Sequence, residues 1–176
     1  MIVLGSGGHT SEMLTTVKKL DYAIYSPIHY VAAKTDKHSL ERAKNSQKDN
    51  DVLSSKDIYF HRIYRSREVK QSWITTIFTT LYSLFESLKL CFINVKPDII
   101  ICNGPGTCIP ILVCGLFLRV LFIKPNIKLI FLESFCRVDD LSMSGKIAYR
   151  FVNIFIVQWE DLCNKYPKAK YIGKIF

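Results

Sequence analysis

The sequence predicts an α/β fold: a Rossmann-like, doubly wound parallel sheet formed by one domain over residues 1–176. Three observations carry that prediction. Short aliphatic or β-branched runs alternate with helical periodicities, and βαβα order implies parallel strands covered by helices on both faces. Two of those runs lead straight into glycine-rich turns, Gly5-Ser6-Gly7-Gly8-His9-Thr10 and Asn103-Gly104-Pro105-Gly106-Thr107. The chain has 176 residues, 49% hydrophobic and 22% charged, enough for one ordinary core, and it shows no repeat, low-complexity tract or inter-domain linker.

Each element has its own justification. Ile2–Leu4 reads as the first strand, and Thr10–Lys19 as a helix with Met13, Leu14 and Val17 on one face. Ile28–Ala33 is the second strand, a charged helical stretch covers Ser39–Gln47, and the polar stretch Lys44–Lys56 reads as the most mobile loop. A third strand lies near Ile58–Ile63. The long helix Ser72–Asn94 keeps Ile74, Ile77, Phe78, Leu81, Leu84, Phe85, Leu88, Cys91 and Phe92 at helical spacing, a stripe expected to pack on the sheet. Its weakly charged opposite face (Thr75, Thr76, Thr79, Thr80, Ser83, Ser87) is expected against a membrane or another subunit. Ile99–Cys102 is the fourth strand. The apolar helix Cys108–Ile123, at about 16 residues, falls short of the roughly 20 that a bilayer requires, so burial between sheet and neighbour is expected. Leu129–Leu132, a short helix Ser144–Phe151 capped by Ser144, Ile154–Gln158 and a final strand Lys170–Ile172 complete the order. No segment clearly spans a bilayer.

The formal charge is +9, with Lys and Arg clustered at Lys34–Lys48, Arg62–Lys70 and Lys165–Lys174. That excess favours an anionic partner: a phosphorylated substrate or an acidic membrane face. Nucleic acid is disfavoured, because the basic residues are not interleaved with aromatics on a strand. The six cysteines form no C-x-x-C pair, which argues against a zinc or thioredoxin-type site and for reduced thiols in a cytosolic setting. Met1 leads directly into the first strand, so no signal peptide is expected. Neither a metal nor a cofactor is expected.

Chemistry concentrates at the two glycine turns. A strand–glycine turn–helix unit aims backbone N–H groups and the positive end of a helix at one point, which suits phosphate. In a doubly wound sheet the first and fourth strands are neighbours, and the crevice between them is where ligands bind. Gly5, Ser6, Gly7, Gly8 and Thr10, with Asn103, Gly104, Gly106 and Thr107, are therefore the candidate cradle for two adjacent phosphates. The first turn departs from the dinucleotide fingerprint, since Thr10 replaces the third glycine; Asp36 after the second strand keeps a ribose site open as an alternative. His9 is either a packing or capping residue, or a ring that takes a proton or holds a phosphate oxygen. Glu133 and Arg137 follow the fifth strand at the same rim. Glu133 could act as base or orient a hydroxyl and Arg137 could hold phosphate, or the two could pair with each other.

Taken together, these two turns, Glu133-Ser134-Phe135-Cys136-Arg137-Val138, Leu141-Ser142-Met143-Ser144-Gly145-Lys146, Val157-Gln158-Trp159 and the ending Tyr166-Pro167 to Tyr171-Ile172-Gly173 resemble the Alg14 family over essentially the whole chain. That resemblance implies one half of a GT-B glycosyltransferase, the acceptor-binding and membrane-anchoring subunit of a UDP-N-acetylglucosamine transferase. The implied reaction adds the second N-acetylglucosamine to N-acetylglucosaminyl-diphosphodolichol at the cytosolic face of the endoplasmic reticulum membrane, with His9 or Glu133 as base. It also implies a donor-binding partner subunit docked by the extreme C-terminus, Lys174, Ile175 and Phe176. Family members commonly carry a membrane helix before the first strand, whereas this chain starts at the strand. The rival expectations are a non-catalytic membrane scaffold for the partner and a complete nucleotide-dependent enzyme acting alone.

Overall fold

The computed structural model describes residues 1–48, 57–67, 71–104 and 106–173. Among these residues seven strands, β1 (Ile2–Val3), β2 (Ile28–Ala33), β3 (Ile58–Ile63), β4 (Ile99–Asn103), β5 (Lys128–Leu132), β6 (Ile154–Val157) and β7 (Ala169–Tyr171), form one sheet. The order is β3-β2-β1-β4-β5-β6-β7, and every pairing is parallel. The chain reverses its direction of winding between β1 and β4, so the crevice beyond those two strands is the switch point. Although β1 is short, its neighbours lengthen the ladder: Ile101 N–H donates to Met1 O at 3.0 Å and Leu4 N–H to Val31 O at 2.8 Å. Ile2, Val3 and Leu4 are all buried, as a strand covered on both faces demands.

Two apolar layers enclose the sheet. On one face α1 (Gly8–Val17) and α2 (Ser39–Lys48) bring Met13, Leu14, Val17, Leu40 and Ala43 onto Ile2, Leu4, Tyr30 and Ala32. On the other lie α3 (Trp73–Lys89), continued by a π-helical turn Leu90–Val95, then α4 (Cys108–Val120), α5 (Met143–Ala148) and α6 (Asp161–Lys165). Their core partners include Val3, Val31, Ile100, Leu129 and Phe131. Phe131 stacks on Phe155 across β5 and β6 at 5.3 Å, with the Tyr149 edge on Phe155 at 5.4 Å. Such ring pairs contribute about 0.5–1.5 kcal/mol each beyond their area. Four of the six free cysteines, Cys91, Cys102, Cys108 and Cys114, are buried among these side chains.

The long helix reverses one expectation. From Thr79 onward its Ser and Thr face turns inward: Ser83 and Ser87 are fully buried, Ser83 Oγ donates to Tyr64 O at 2.7 Å, and Thr79 and Thr80 both donate to Ser66 O. Small hydroxyl side chains let α3 approach the β3 loop closely, while their protons find carbonyls. Leu84, Leu88 and Phe92 still meet the core, but Ile74, Ile77, Phe78, Leu81 and Phe85 form an exposed stripe. Phe78 is 69% exposed and Phe85 67%, values that place the apolar face, not the hydroxyl face, on the outside. The span Ile74–Val95 is long and apolar enough to cross a membrane, yet its inner face is fastened to the domain by these hydroxyls and by Glu86, which accepts from Tyr64 N–H and pairs with Lys34. The packed neighbour α4 buries Ile111, Leu112 and Leu118, but its far end is exposed at Val120, Leu121 and Phe122, against the expectation of burial throughout.

Smaller boundaries also differ. Lys44–Lys48 belongs to α2 rather than to a loop, because Gln47 reaches inward and donates to Tyr30 Oη at 2.6 Å and to Tyr22 Oη at 3.1 Å. The rest of that stretch, 49–56, lies outside the described residues. Ser142, not Ser144, caps α5, its Oγ accepting from Gly145 N–H at 2.9 Å.

Candidate functional site

The carboxyl ends of β1 and β4 lie side by side, with Val3 opposite Cys102, and each feeds a glycine turn into a helix at the switch point. Among the described residues no side chain caps α1 or α4, whereas Ser72 caps α3 and Ser142 caps α5. The first-turn N–H groups of the two central helices are thus left without a side-chain oxygen, the arrangement that suits a bound anion. The two turns also pack on each other through one side chain. A Cβ on Gly104 would stand 2.8 Å from His9 Cγ, and one on Gly5 would stand 2.6 Å from His9 Cβ. Gly104 has φ +86°, so both its backbone and its neighbour require glycine.

His9 is the centre of the rim. Its imidazole is 29% exposed, while Nδ1 is buried and lies 3.4 Å from Glu12 Oε2, a close contact without the alignment of a hydrogen bond. Glu12 in turn binds three turns together. Asn103 Nδ2 donates to His9 O at 2.7 Å and to Glu12 Oε2 at 3.4 Å; Ser134 Oγ donates to Glu12 Oε1 at 3.1 Å, and Phe135 N–H does so at 3.4 Å. Partial burial raises the Glu12 pKa, but its contacts with His9 and Ser134 outweigh that and hold the carboxyl below its ordinary range. Glu12 did not stand out in the sequence, although its place three residues after His9 on α1 puts both on one face.

Several predicted cradle residues have buried side chains. Thr10 is buried, its Oγ1 donating to Gly5 O and meeting Ser39 Oγ. Asn103 and Thr107 are also buried, Asn103 as the strut just described. Ser66 Oγ donates to Gly106 O and ties the second turn to the loop before α3. Gly7 and Gly8 face open space. Beside them lies a cleft of about 460 Å³ lined by Ser6, Gly7, Asp36, Ser39, Arg42 and Arg65. Arg65 Nη2 donates to Ser6 Oγ at 2.8 Å, and Arg42 donates to Ser11 Oγ at 2.6 Å and Gly7 O at 3.4 Å. These two guanidinium groups came from basic clusters that the sequence could not place on the turn. Asp36 accepts from His38 N–H, Ser39 N–H and Ser39 Oγ, so the acid considered for a ribose instead closes the start of α2. A larger cavity, about 580 Å³, lies at the amino ends of the strands around Met1, Tyr25 and His29, remote from both turns.

Glu133 is 1% exposed and organises the loop after β5. Its Oε2 accepts from Ser142 N–H at 2.9 Å and Ser142 Oγ at 3.0 Å, and its Oε1 accepts from Ser134 N–H at 3.1 Å. Burial nevertheless dominates and raises its pKa above the ordinary carboxyl value. Arg137 is exposed and makes no ion pair with Glu133. Trp159 Nε1 donates to Phe135 O at 2.8 Å and packs its ring on Phe135 at 4.9 Å, pressing this loop onto the end of β6. Asp140 pairs with Lys146 and Lys165 and accepts from Tyr166 Oη, which draws its pKa well below normal. The proposed docking residues Lys174, Ile175 and Phe176, and Pro105 of the second turn, lie outside the described residues.

The family model described as "Oligosaccharide biosynthesis protein Alg14 like" matches residues 1–175. Among similar proteins, the UDP-N-acetylglucosamine transferase subunit ALG14 of Rattus norvegicus is 50% identical over 181 residues, covering 99% of this chain and 82% of that protein. The subunit of the same name from Homo sapiens is 49% identical over 179 residues, with 99% and 82% covered. That of Schizosaccharomyces pombe is 46% identical over 175 residues, with 98% and 81% covered. No solved structure matches. With a seven-stranded parallel Rossmann-like sheet, the quoted motif string and identity near one half over nearly its full length, this chain belongs to the Alg14 family.

Proposed function

We propose that this chain is the acceptor-binding subunit of a two-chain UDP-N-acetylglucosamine transferase, supplying one half of a GT-B active site. In this reading it binds N-acetylglucosaminyl-diphosphodolichol at the cytosolic face of the endoplasmic reticulum membrane, and a partner subunit brings UDP-N-acetylglucosamine. The observation that carries it is the meeting of two uncapped helix starts and the partly exposed His9 at the switch point. The family relatives, each named as a transferase subunit, support the division of labour.

The diphosphate sits on the N–H groups opened by Gly7 and Gly8, with Arg42 and Arg65 flanking the first turn and Gly104 and Gly106 shaping the second. Arg137, exposed beyond Glu133, adds positive charge from the β5 side. Such placement leaves the acceptor sugar over His9. His9 takes the proton from the sugar 4-hydroxyl as that oxygen bonds to the anomeric carbon of the donor. The bond from that carbon to the UDP oxygen breaks, its electron pair leaves with UDP, and the linkage formed by inversion is β1,4. Glu133, enclosed by its own loop, holds the β5–α5 connection in place rather than meeting the hydroxyl. The exposed stripe of α3 starts at the same rim and rests on the lipid surface, bringing the lipid-linked acceptor alongside the site. The C-terminal Lys174–Phe176 segment docks the partner.

The test is transfer to a short-chain lipid-linked acceptor by this chain with and without a UDP-N-acetylglucosamine-binding partner. Transfer is expected only with both, and Gly8→Val is expected to lose transfer while still co-purifying with the partner. Normal transfer by Gly8→Val would mean that the chain serves as a scaffold alone.

A further inference from the structure

We propose that Glu12 is the positioning residue of the proton-transfer site: it fixes the His9 imidazole in the Nδ1–H tautomer, so that Nε2 presents its lone pair to the acceptor hydroxyl. The proposal rests on His9 as the base, as argued above, and assigns what holds that base ready.

The geometry is specific. Of the two ring nitrogens, Nδ1 is the enclosed one, and the carboxylate oxygen Glu12 Oε2 lies 3.4 Å from it. The ring cannot retreat from that carboxylate toward the β4 turn, because it lies flat against Gly104 with no room for even a methyl group between. Glu12 is equally constrained. Its second oxygen is held by Ser134 Oγ and Phe135 N–H from the β5 loop, and Asn103 Nδ2 approaches from β4 while also holding the His9 carbonyl. One carboxylate thus refers the ring to β1, β4 and β5 together. A buried imidazole nitrogen facing a carboxylate carries the hydrogen, which leaves the other nitrogen to accept a proton. When His9 takes the hydroxyl proton on Nε2, the imidazolium faces an anion 3.4 Å from Nδ1, and the pair, singly negative before the transfer, becomes neutral as a whole. That contact closes to an aligned hydrogen bond as the acceptor binds, since catalytic contacts commonly tighten with substrate bound. The carboxylate is available throughout: its interactions keep it ionised at neutral pH.

Two measurements separate this proposal from the reading it rests on. Nitrogen-15 NMR of the folded chain at neutral pH reports the His9 tautomer directly and needs neither partner nor turnover. The Nδ1–H form is expected in the native chain, and Glu12→Ala is expected to shift the population toward Nε2–H. In transfer assays with the partner, Glu12→Ala is expected to lower kcat by about 10- to 100-fold, the usual loss for an orienting partner, with acceptor KM within about twofold. Glu12→Gln keeps an oxygen for Ser134 and Phe135 and removes the charge; it should retain the thermal midpoint while losing kcat in the same direction. An Nε2–H tautomer in the native chain, a tautomer unmoved by Glu12→Ala, or a loss confined to KM overturns the proposal. If the tautomer responds to Glu12→Ala while His9→Ala keeps full turnover, the failure lies in the assignment of His9 as base, not in the coupling between the two residues.

Discussion

Replacing Gly104 by alanine tests whether the two glycine turns form one device around His9. The added Cβ would lie 2.8 Å from His9 Cγ, 3.0 Å from Cδ2 and 3.1 Å from Nδ1, all on a backbone at φ +86°. Left-handed backbone costs a non-glycine residue about 1–2 kcal/mol. Relieving the contact to 3.4 Å requires the ring to move by about 0.6 Å. The combined cost is about 2 kcal/mol, or roughly 4–8 °C in Tm for a chain of this size. The catalytic cost is larger than the stability cost: displacement near 1 Å at a reacting group removes about 10²-fold in rate. Differential scanning calorimetry and steady-state transfer kinetics with the partner read the two effects. Gly8→Ala is the control, since a Cβ there meets nothing within 4 Å, and its Tm should stay within about 1 °C of the native value. A Gly104→Ala protein with native kcat, or a Gly8→Ala protein less stable than Gly104→Ala, would show that the two turns do not act together around His9.

Three further outcomes follow from other parts of the molecule. The exposed stripe and net positive charge predict sedimentation with anionic vesicles that weakens as salt screens charges over about 10 Å at 0.1 M; the double variant Phe78→Glu with Phe85→Glu should weaken it by at least about 100-fold, and unchanged partition would remove the stripe from the lipid surface. Gly145→Ala would place a Cβ 2.1 Å from Glu133 Oε2, so it should cost about 2–4 kcal/mol and disorder the β5–α5 loop, with a native Tm contradicting the buried position of Glu133. His29 stacks on His61, and burial followed by the His61 charge lowers its pKa from 6.5 to about 4. The unfolded chain therefore takes up a proton below pH 6.5 that the fold resists down to pH about 4. Stability from this ring is full above 6.5 and is lost through that window, an effect moderated by the ring's exposure. His29→Gln should flatten the fall of Tm between those pH values, and an unaltered slope would contradict the sign.

The layout of the sheet was legible because its signals are local. β2 and β3 are runs of β-branched and aromatic residues with clean ends, and glycine turns mark where β1 and β4 stop. Their adjacency followed from the winding rule alone. The orientation of α3 was not legible. Helical spacing reveals that apolar residues share a face, but not whether that face meets the sheet or a lipid surface. Ser83 and Ser87 decide it, since carbonyls of the β3 loop and the helix receive their protons and their small size permits close packing, a fact visible only in three dimensions. The site was half legible for the same reason. His9 and Glu133 announce themselves by following glycine turns and strand ends. Glu12, Arg42 and Arg65 sit in ordinary helical or basic stretches, and become functional candidates only when β4, β5 and α2 are brought around the first turn. Thr10 and Asn103 have cradle chemistry by type, and their side chains bond to Gly5 O and His9 O, partners that only the folded turns bring within reach.

The central claim is that His9 takes the acceptor proton at the switch point. It is tested most directly by the steady-state kinetics of His9→Ala, assayed with the donor-binding partner over a range of acceptor concentrations. The expected result is a fall in kcat of about 10²–10⁴-fold with acceptor KM changed by no more than about twofold. A rise in acceptor KM at native kcat would contradict it, and would make His9 a ligand of the diphosphate instead.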